Sequence, residues 1–233
     1  FDSKADRPGF TQADTVAHCG TSAAGKFANS ITLTDIQSTW TENRAMLTKQ
    51  SFEIRRQVRD IEKSLPFDLL SINTDSGSEF LNNEMINFMR GRKQPITLTR
   101  SRPYRKNDNC YVEQKNFTHV RELFGYERIE EEDLVALMNE IYKSYWNPLQ
   151  NFFLPTFKLK EKVRIGSKIV KKYDSPQTPY QRLMKSTHLS QDKKEGLRKQ
   201  FETLNPFTLK TGLEKKLEFF FKLLKQKHIR EAA

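Results

Sequence analysis

Three acidic residues, Asp14, Asp75 and Glu113, stand where a purely structural acid would be awkward. Asp14 falls in mid-segment within Phe10–Cys19, whose alternation predicts a strand with Phe10, Gln12, Asp14, Val16 and His18 on one face. Asp75 closes the apolar run FDLLSINTD, just before a break at Gly77. Glu113 lies in a predicted helix whose apolar residues Phe117, Val120 and Phe124 follow at +4, +7 and +11, a spacing that turns it toward the sheet. An uncompensated inward carboxylate costs on the order of several kcal/mol, and no Lys or Arg stands within two residues of Asp14 or Asp75. Divalent ions held by oxygen ligands neutralise such a set, and Mg²⁺ needs only a few carboxylates because it keeps waters. Helix caps, ordinary ion pairs and, for Asp75, a turn before Gly77 are the competing structural readings.

The elements that must position these acids follow from periodicity. After the first strand, GTSAAG at 20–25 reads as a turn. FANSITLTDI (27–36) and the segment from Thr39 to Leu47 continue as two further strands. Ile54, Val58, Ile61 and Leu65 recur at helical spacing until Pro66. The run ending at Asp75 suits a buried central strand. A helix from about Ser78 presents Leu81, Met85 and Met89, Pro95–Thr99 is a fifth strand, and helices follow near 108–125 and 131–146. This order predicts an α/β fold with a mixed five-stranded sheet flanked by helices, the order of the ribonuclease H-like fold.

Past Pro155 the texture changes, giving an expected division into a catalytic core (1–155) and a basic C-terminal extension (156–233). FKLKEKVRIGSKIVKKYD alternates apolar and basic residues around Gly166, as an exposed hairpin or arm would. SPQTPYQRL reads as a linker or docking segment. A last helix carries Leu209, Leu213, Leu217, Phe220 and Leu224 on one face, and Phe219-Phe220-Phe221 predicts self-association.

The net charge of +11 is distributed unevenly. Residues 156–233 hold 20 Lys/Arg against 8 Asp/Glu, whereas residues 1–155 hold 20 against 21. Such asymmetry points to a polyanion, nucleic acid being the commonest, with a solvated helical surface as the alternative. No apolar run is long enough to span a membrane. The start, Phe1-Asp2-Ser3-Lys4, has neither a secretory layout nor an initiator Met, so a fragment of a longer protein is expected. Two cysteines, Cys19 and Cys110, fit a reducing cytoplasm. His18 beside Cys19 has no second Cys/His pair at zinc-finger spacing, so a strand-packed histidine is expected. No G-x-x-x-x-G-K-[ST] loop or G-x-S-x-G elbow is present. Trp40 and Trp146 read as core or interface residues.

Four segments, DTVAHCG from Asp14, TLTDIQSTWTE, INTDSGSEF and SRPYRKNDNCYVEQKN, resemble the integrase-like transposases of bacterial insertion sequences. Those transposases share a DDE catalytic core with retroviral integrases. The resemblance runs from about Pro8 to Leu183 and includes GSKIVKKYDSPQTPYQRL; the segments keep the family's order, with Asp75 and Glu113 separated by 37 residues. Ser76 departs from the Asn usual after the second acid, and Glu79 is typical of its segment without being one of the three ligands. The resemblance implies a ribonuclease H-like core in which Asp14, Asp75 and Glu113 hold two Mg²⁺ ions, with Mn²⁺ as a substitute. It implies cleavage at the ends of a mobile element and strand transfer into target double-stranded DNA by a homo-oligomer in the bacterial cytoplasm, at the nucleoid. It also implies that an N-terminal helix-turn-helix region lies outside this sequence.

Residues expected near DNA follow from position and charge. Asn109 and Asn116, at −4 and +3 from Glu113, share its helical face and suit contact with DNA or an ordered water. Lys115 and the run Arg102, Arg105, Lys106 suit phosphate contacts or ordinary surface charge, and Lys168, Lys171, Lys172 and Arg182 lie in the basic tail. A nuclease that cuts without joining, and a catalytically retired DNA-binding transposase, are the alternative functions. Three intact acids argue against the second.

Overall fold

The alternating segments near the start fold as a meander. Strands β1 (Phe10–Ala17), β2 (Asn29–Asp35) and β3 (Thr41–Met46) pair antiparallel in succession. Helix α1 (Ser51–Ser64) stops as Leu65 turns extended before Pro66. Strand β4 (Ser71–Thr74) lies parallel to β1; after α2 (Asn83–Arg90), β5 (Thr97–Arg100) lies parallel to β4. The resulting order, β3-β2-β1-β4-β5, is the expected ribonuclease H-like sheet. This computed structural model describes residues 6–75, 80, 82–102 and 110–231. The expected break at Gly77, the helix start at Ser78 with Leu81, and Arg105, Lys106 and Asn109 lie outside those residues.

Helix α3 (Cys110–Lys115) runs through a π-helical stretch, Asn116–Arg121, into α4 (Glu122–Phe124). Helix α5 (Glu132–Ile141) likewise runs through Tyr142–Trp146 into α6 (Asn147–Phe153). An antiparallel ribbon follows, β6 (Leu159–Ile165) with β7 (Lys168–Tyr173), then α7 (Pro179–Lys185), α8 (Gln191–Thr203) and α9 (Pro206–Glu231). Among the described residues no helix is long and apolar enough to cross a membrane.

The sheet has two unlike faces. Ala13, Ile31, Leu33, Met46 and Ile72 meet Ile54, Val58 and Ile61 of α1 and Met85 and Met89 of α2 in one apolar cluster. The strand pairings set Gln12 and Asp14, Thr32 and Thr34, Thr41 and Asn43, and Asn73 on the opposite face. Those polar groups bond sideways to one another. Asn43 Nδ2 donates to Thr32 Oγ1 (2.9 Å), Thr34 and Thr41 share a hydroxyl bond (3.1 Å), and Asn73 Nδ2 donates to Thr99 Oγ1 (2.9 Å).

Strand β3 is an edge, and its outward backbone groups at Thr41 and Ala45, with the carbonyl of Asn43, are met by asparagines rather than by another strand. Asn151 donates to Thr41 O (2.8 Å) and accepts from Thr41 N (2.9 Å). Asn139 does the same for Ala45 (2.8 and 2.9 Å), and Asn147 Nδ2 reaches Asn43 O (3.4 Å). A side-chain amide offers the donor and acceptor of a peptide group. Four helical residues rise about 6 Å, close to the roughly 6.7 Å of two strand residues, so Asn147 and Asn151 match Asn43 and Thr41 in step.

The chain past residue 155 does not pack as a separate module. Leu209, Leu213, Phe220 and Leu224 of α9 share a cluster with Leu134, Met138 and Ile141 of α5, and Leu183, Leu189 and Leu197 share one with Trp40, Phe67 and Phe152. The expected linker SPQTPYQRL contains a helix: Thr178 and Gln181 form a reciprocal capping box with Pro179 in the first turn, and Leu183 is fully buried. Within Phe219-Phe220-Phe221 only Phe220 is buried.

Replacing Asn151 with Ala strips both partners from Thr41 at once. A loss of about 2–4 kcal/mol is expected from two buried backbone groups left unsatisfied, read as a lower denaturant midpoint with an unchanged slope. An Asn151→Ala chain as stable as wild type would show that the edge is not held this way.

Candidate active site

The first two acids follow one strand pairing. The parallel register matches Phe10 with Ser71, Thr11 with Ile72 and, as its last pair, Gln12 with Asn73. Asp14 and Asp75 each stand two residues past that pair, and alternation along β1 gives Asp14 the face of Gln12. The register is fixed at its lower end. Gly9 O accepts from Leu70 N (2.9 Å) and Ser71 N (3.0 Å), while Gly9 N donates to the buried Asp35 carboxylate (2.8 Å). Gly9 has φ +109°, and a Cβ there would meet Asp68 O at 2.4 Å, so only glycine fits.

The third acid arrives on α3. Gln12, wholly buried, accepts through Oε1 from Tyr111 N (3.0 Å) and Val112 N (3.2 Å), satisfying donors that the first turn of a helix leaves open. One turn on, Asn116 Nδ2 donates to Asp14 Oδ2 (2.6 Å), and Asp14 Oδ1 accepts from Thr15 N (2.7 Å). Glu113 therefore sits between two contacts that tie its helix to β1. Its orientation differs from the expected one. Glu113 is exposed, Phe117 is 55% exposed, and the buried residues are Val112, Val120 and Phe124. The π-helical stretch places an extra residue in the turn, so one 3.6-residue period does not carry across it.

The expected DNA-contacting residues separate into different environments. Lys168, Lys171 and Lys172 are exposed on β7. Lys115 is half-buried, and burial, then the nearby Arg182 guanidinium, lowers its ammonium pKa to about 8. Arg182 is corrected: it is buried, paired with Asp174 (2.5 Å) and bonded to Thr156 O (2.5 Å), so it braces the base of the ribbon instead of offering its charge to solvent. The sequence reading gave no role to Gln12, although a Gln two residues before Asp14 on one strand face was the available signal.

The donor set of Asp14, Asp75 and Glu113 is all oxygen, the kind a hard divalent cation takes. Among the described residues no group of three or more His, Cys, Asp or Glu stands close enough together to hold an ion. Glu113 is exposed, and Asp14 Oδ2 accepts from Asn116. No disulfide joins Cys19 and Cys110.

The fold and this site define an α/β chain of the ribonuclease H-like class with acids on and just past its interior strands and a helix pinned to the first of them. No family model matches it. The uncharacterized protein y4rM of Sinorhizobium fredii (strain NBRC 101917 / NGR234) is 39% identical over 175 residues, 75% of this chain and 49% of that protein. The chain thus spans about half the length of the curated relative it matches. Solved structures similar to it include the HTLV-2 integrase catalytic core domain in complex with magnesium, in its dimeric form (TM-score 0.46, 18% identity, 64% of this chain and 90% of that one). The catalytic core domain of BIV integrase is another (TM-score 0.44, 15% identity, 74% and 91%).

Histidines next to the site are structural. His18 is buried, with Nε2 on Ser30 Oγ (2.9 Å), which in turn meets Tyr142 Oη (2.8 Å). Burial, then the Arg121 charge, lowers its pKa to about 3; burial, then Lys115, holds His119 well below the ordinary value. Both stay neutral in the folded chain while the unfolded chain takes up protons below about pH 6.5, so stability is lost as pH falls from there. Each contributes a slope of about 1.4 kcal/mol per pH unit. Asp35, raised to about 6 mainly by burial, opposes this below pH 6, since there the folded chain binds its proton more readily. Urea midpoints at pH 7 and 5 should fall less for His18→Gln than for wild type; equal slopes would overturn the assignment.

Proposed function

We propose that this chain is the catalytic portion of an integrase-like DNA transposase, a polynucleotidyl transferase whose metal-binding carboxylates are Asp14, Asp75 and Glu113. The single observation that supports the reading is the tie between α3 and β1: Gln12 accepts from Tyr111 N and Val112 N, and Asn116 donates to Asp14, on either side of Glu113. The four-segment resemblance and the sheet order agree with it.

Mg²⁺, with Mn²⁺ as substitute, is the proposed cofactor, and two such ions supply an activated nucleophile and charge relief at the phosphate. The residues do the positioning. Gln12 fixes the first turn of α3, so the Glu113 backbone keeps its place while its exposed side chain turns inward. Asn116 orients the Asp14 carboxylate through Oδ2. Lys115, at a pKa of about 8, supplies a cation at the end of the same turn for a phosphate oxygen. In the first step, water attacks the phosphodiester at the element end; the new P–O bond forms as the bond to the 3′ oxygen breaks, freeing a 3′-hydroxyl. In the second, that hydroxyl attacks a target phosphodiester in the same site. The basic ribbon contacts double-stranded DNA through Lys171, with Lys168 and Lys172 adding to its positive field, and a homo-oligomer, with Phe219 and Phe221 exposed on α9, pairs two element ends.

Asp14→Asn, Asp75→Asn and Glu113→Gln should each reduce joining of pre-cleaved ends to a target plasmid on the order of 10³-fold or more, with duplex binding within about twofold of wild type. A variant that still joins strands would remove its acid from the site. Cut but never joined products from wild type would favour the nuclease alternative.

A further inference from the structure

The β6–β7 ribbon is exposed at every position of both strands, with Tyr173, at its base, edge-on to Phe157. It includes large apolar side chains at Val163 (42%), Ile165 (65%), Ile169 (54%), Val170 (50%) and Tyr173 (50%). A two-stranded hairpin is marginal on its own in water, so an exposed one needs either an anchored base or a ligand.

The base is anchored. Lys158 N donates to Asp174 Oδ1 (2.6 Å) and Asp174 N to Lys158 O (2.9 Å). Lys158 Nζ holds Ile36 O (2.8 Å) and Gln37 O (2.7 Å) at the end of β2, and Arg182 pairs with Asp174 from α7. The two blades beyond this clamp carry their charge unequally. Antiparallel partners share a face, and the pairs are Lys162 with Lys171, Arg164 with Ile169, and Leu159 with Tyr173 on one side. That face holds three cations, an aromatic ring and no acid. The other face carries Val163 with Val170, Ile165 with Lys168, and Glu161 with Lys172, the last pair cancelling its charge.

We propose that this ribbon is a DNA-reading element that enters the major groove of a duplex, with the Lys162–Arg164–Lys171 face toward the DNA. The inference deepens the DNA-binding part of the function proposed above and rests on it. Residues 158–173 hold seven Lys/Arg against one Glu, which suits a polyanion. A second copy of the same face would meet like charge. The major groove, about 12 Å wide, admits a two-stranded ribbon, whose strands lie only about 4.8 Å apart. Lys162, Lys171 and Arg164 reach phosphates on the groove walls or guanine edges, and Ile169 meets a thymine methyl. Lys162 and Arg164 were not among the residues the sequence reading selected; only the strand register puts them with Lys171.

The test uses the full chain, a short mixed-sequence duplex and EDTA, so the result does not depend on catalysis. Fluorescence anisotropy across a salt series should give a log–log slope shallower by about 3 for K162Q/R164Q/K171Q, and by about 1 or less for K168Q/K172Q. Wild type should shield guanine N7 from dimethyl sulfate in the major groove, and the triple variant should lose that shield. Equal slope changes from the two faces, or protection confined to adenine N3 in the minor groove, would overturn the assignment. So would an unchanged slope accompanied by a shift in sedimentation, which would make the ribbon a contact between protein chains. Loss of joining in Asp14→Asn with the slope intact leaves this proposal standing and tests only the catalytic one.

Discussion

The pairing of β1 with β4 in a single register is the constraint on which the candidate site depends. Side chains alternate along a strand, so a slip of β4 by one residue against β1 would turn every β4 side chain to the other face. Asn73 would then point toward Ile54, Val58 and Met85, and Ile72 would join Gln12 and Asp14 on the polar side. Three features prevent this at Gly9: its carbonyl takes two donors from the start of β4, its N–H is held by Asp35, and its contact with Asp68 leaves no room for a side chain. Asp35 is itself secured by Ser38, whose N and Oγ donate to Oδ2 (2.7 and 2.6 Å). A turn between β2 and β3 thus governs, through one carboxylate, where an acid on β1 stands relative to an acid after β4.

A buried polar face is expensive unless each group finds a partner, since an unmet donor or acceptor costs about 1–3 kcal/mol. Here the lateral Thr and Asn bonds meet part of that demand, and Gln12 meets more of it by serving α3. The same bond solves two problems, satisfying a buried amide and closing the open end of a helix. An apolar residue at position 12 would pack more easily yet leave α3 unattached over Asp14. The π-helical stretch beginning at Asn116 belongs to the same arrangement. It joins Asn116, which bonds Asp14, to the buried Val120.

Strand alternation, the stop at Pro66 and the run into Asp75 were legible because each is local and repeats with a fixed period. The face of Glu113 was not, because the π turn changes the period inside the helix and leaves Phe117 outward. Arg182 looked like one more cation of a basic tail; its burial comes from Asp174, eight residues earlier in sequence, and from the carbonyl of Thr156. The Thr178-Pro179-Tyr180-Gln181 capping signature was present but sat among prolines that suggested a linker. The amide ladder of Asn139, Asn147 and Asn151 has no sequence rule behind it. Its meaning depends on which strand becomes the sheet edge, and that is decided by long-range pairing.

The chain treats its two exposed strand systems in opposite ways, and the contrast bears on function. At β3, where an open edge would invite pairing with other chains, three asparagines close the backbone and helices cover both flanks. At the ribbon, every position of both strands is exposed, and lysines line the strands. Charged edge residues alone would discourage association, and one or two suffice for that purpose. A ribbon with six cations, an aromatic ring on the acid-free face, and a base fixed by a buried ion pair has more than protection requires. A fold able to seal an edge with side-chain amides has left this element open, and its surplus of positive charge is what the proposed contact with a polyanion rests on.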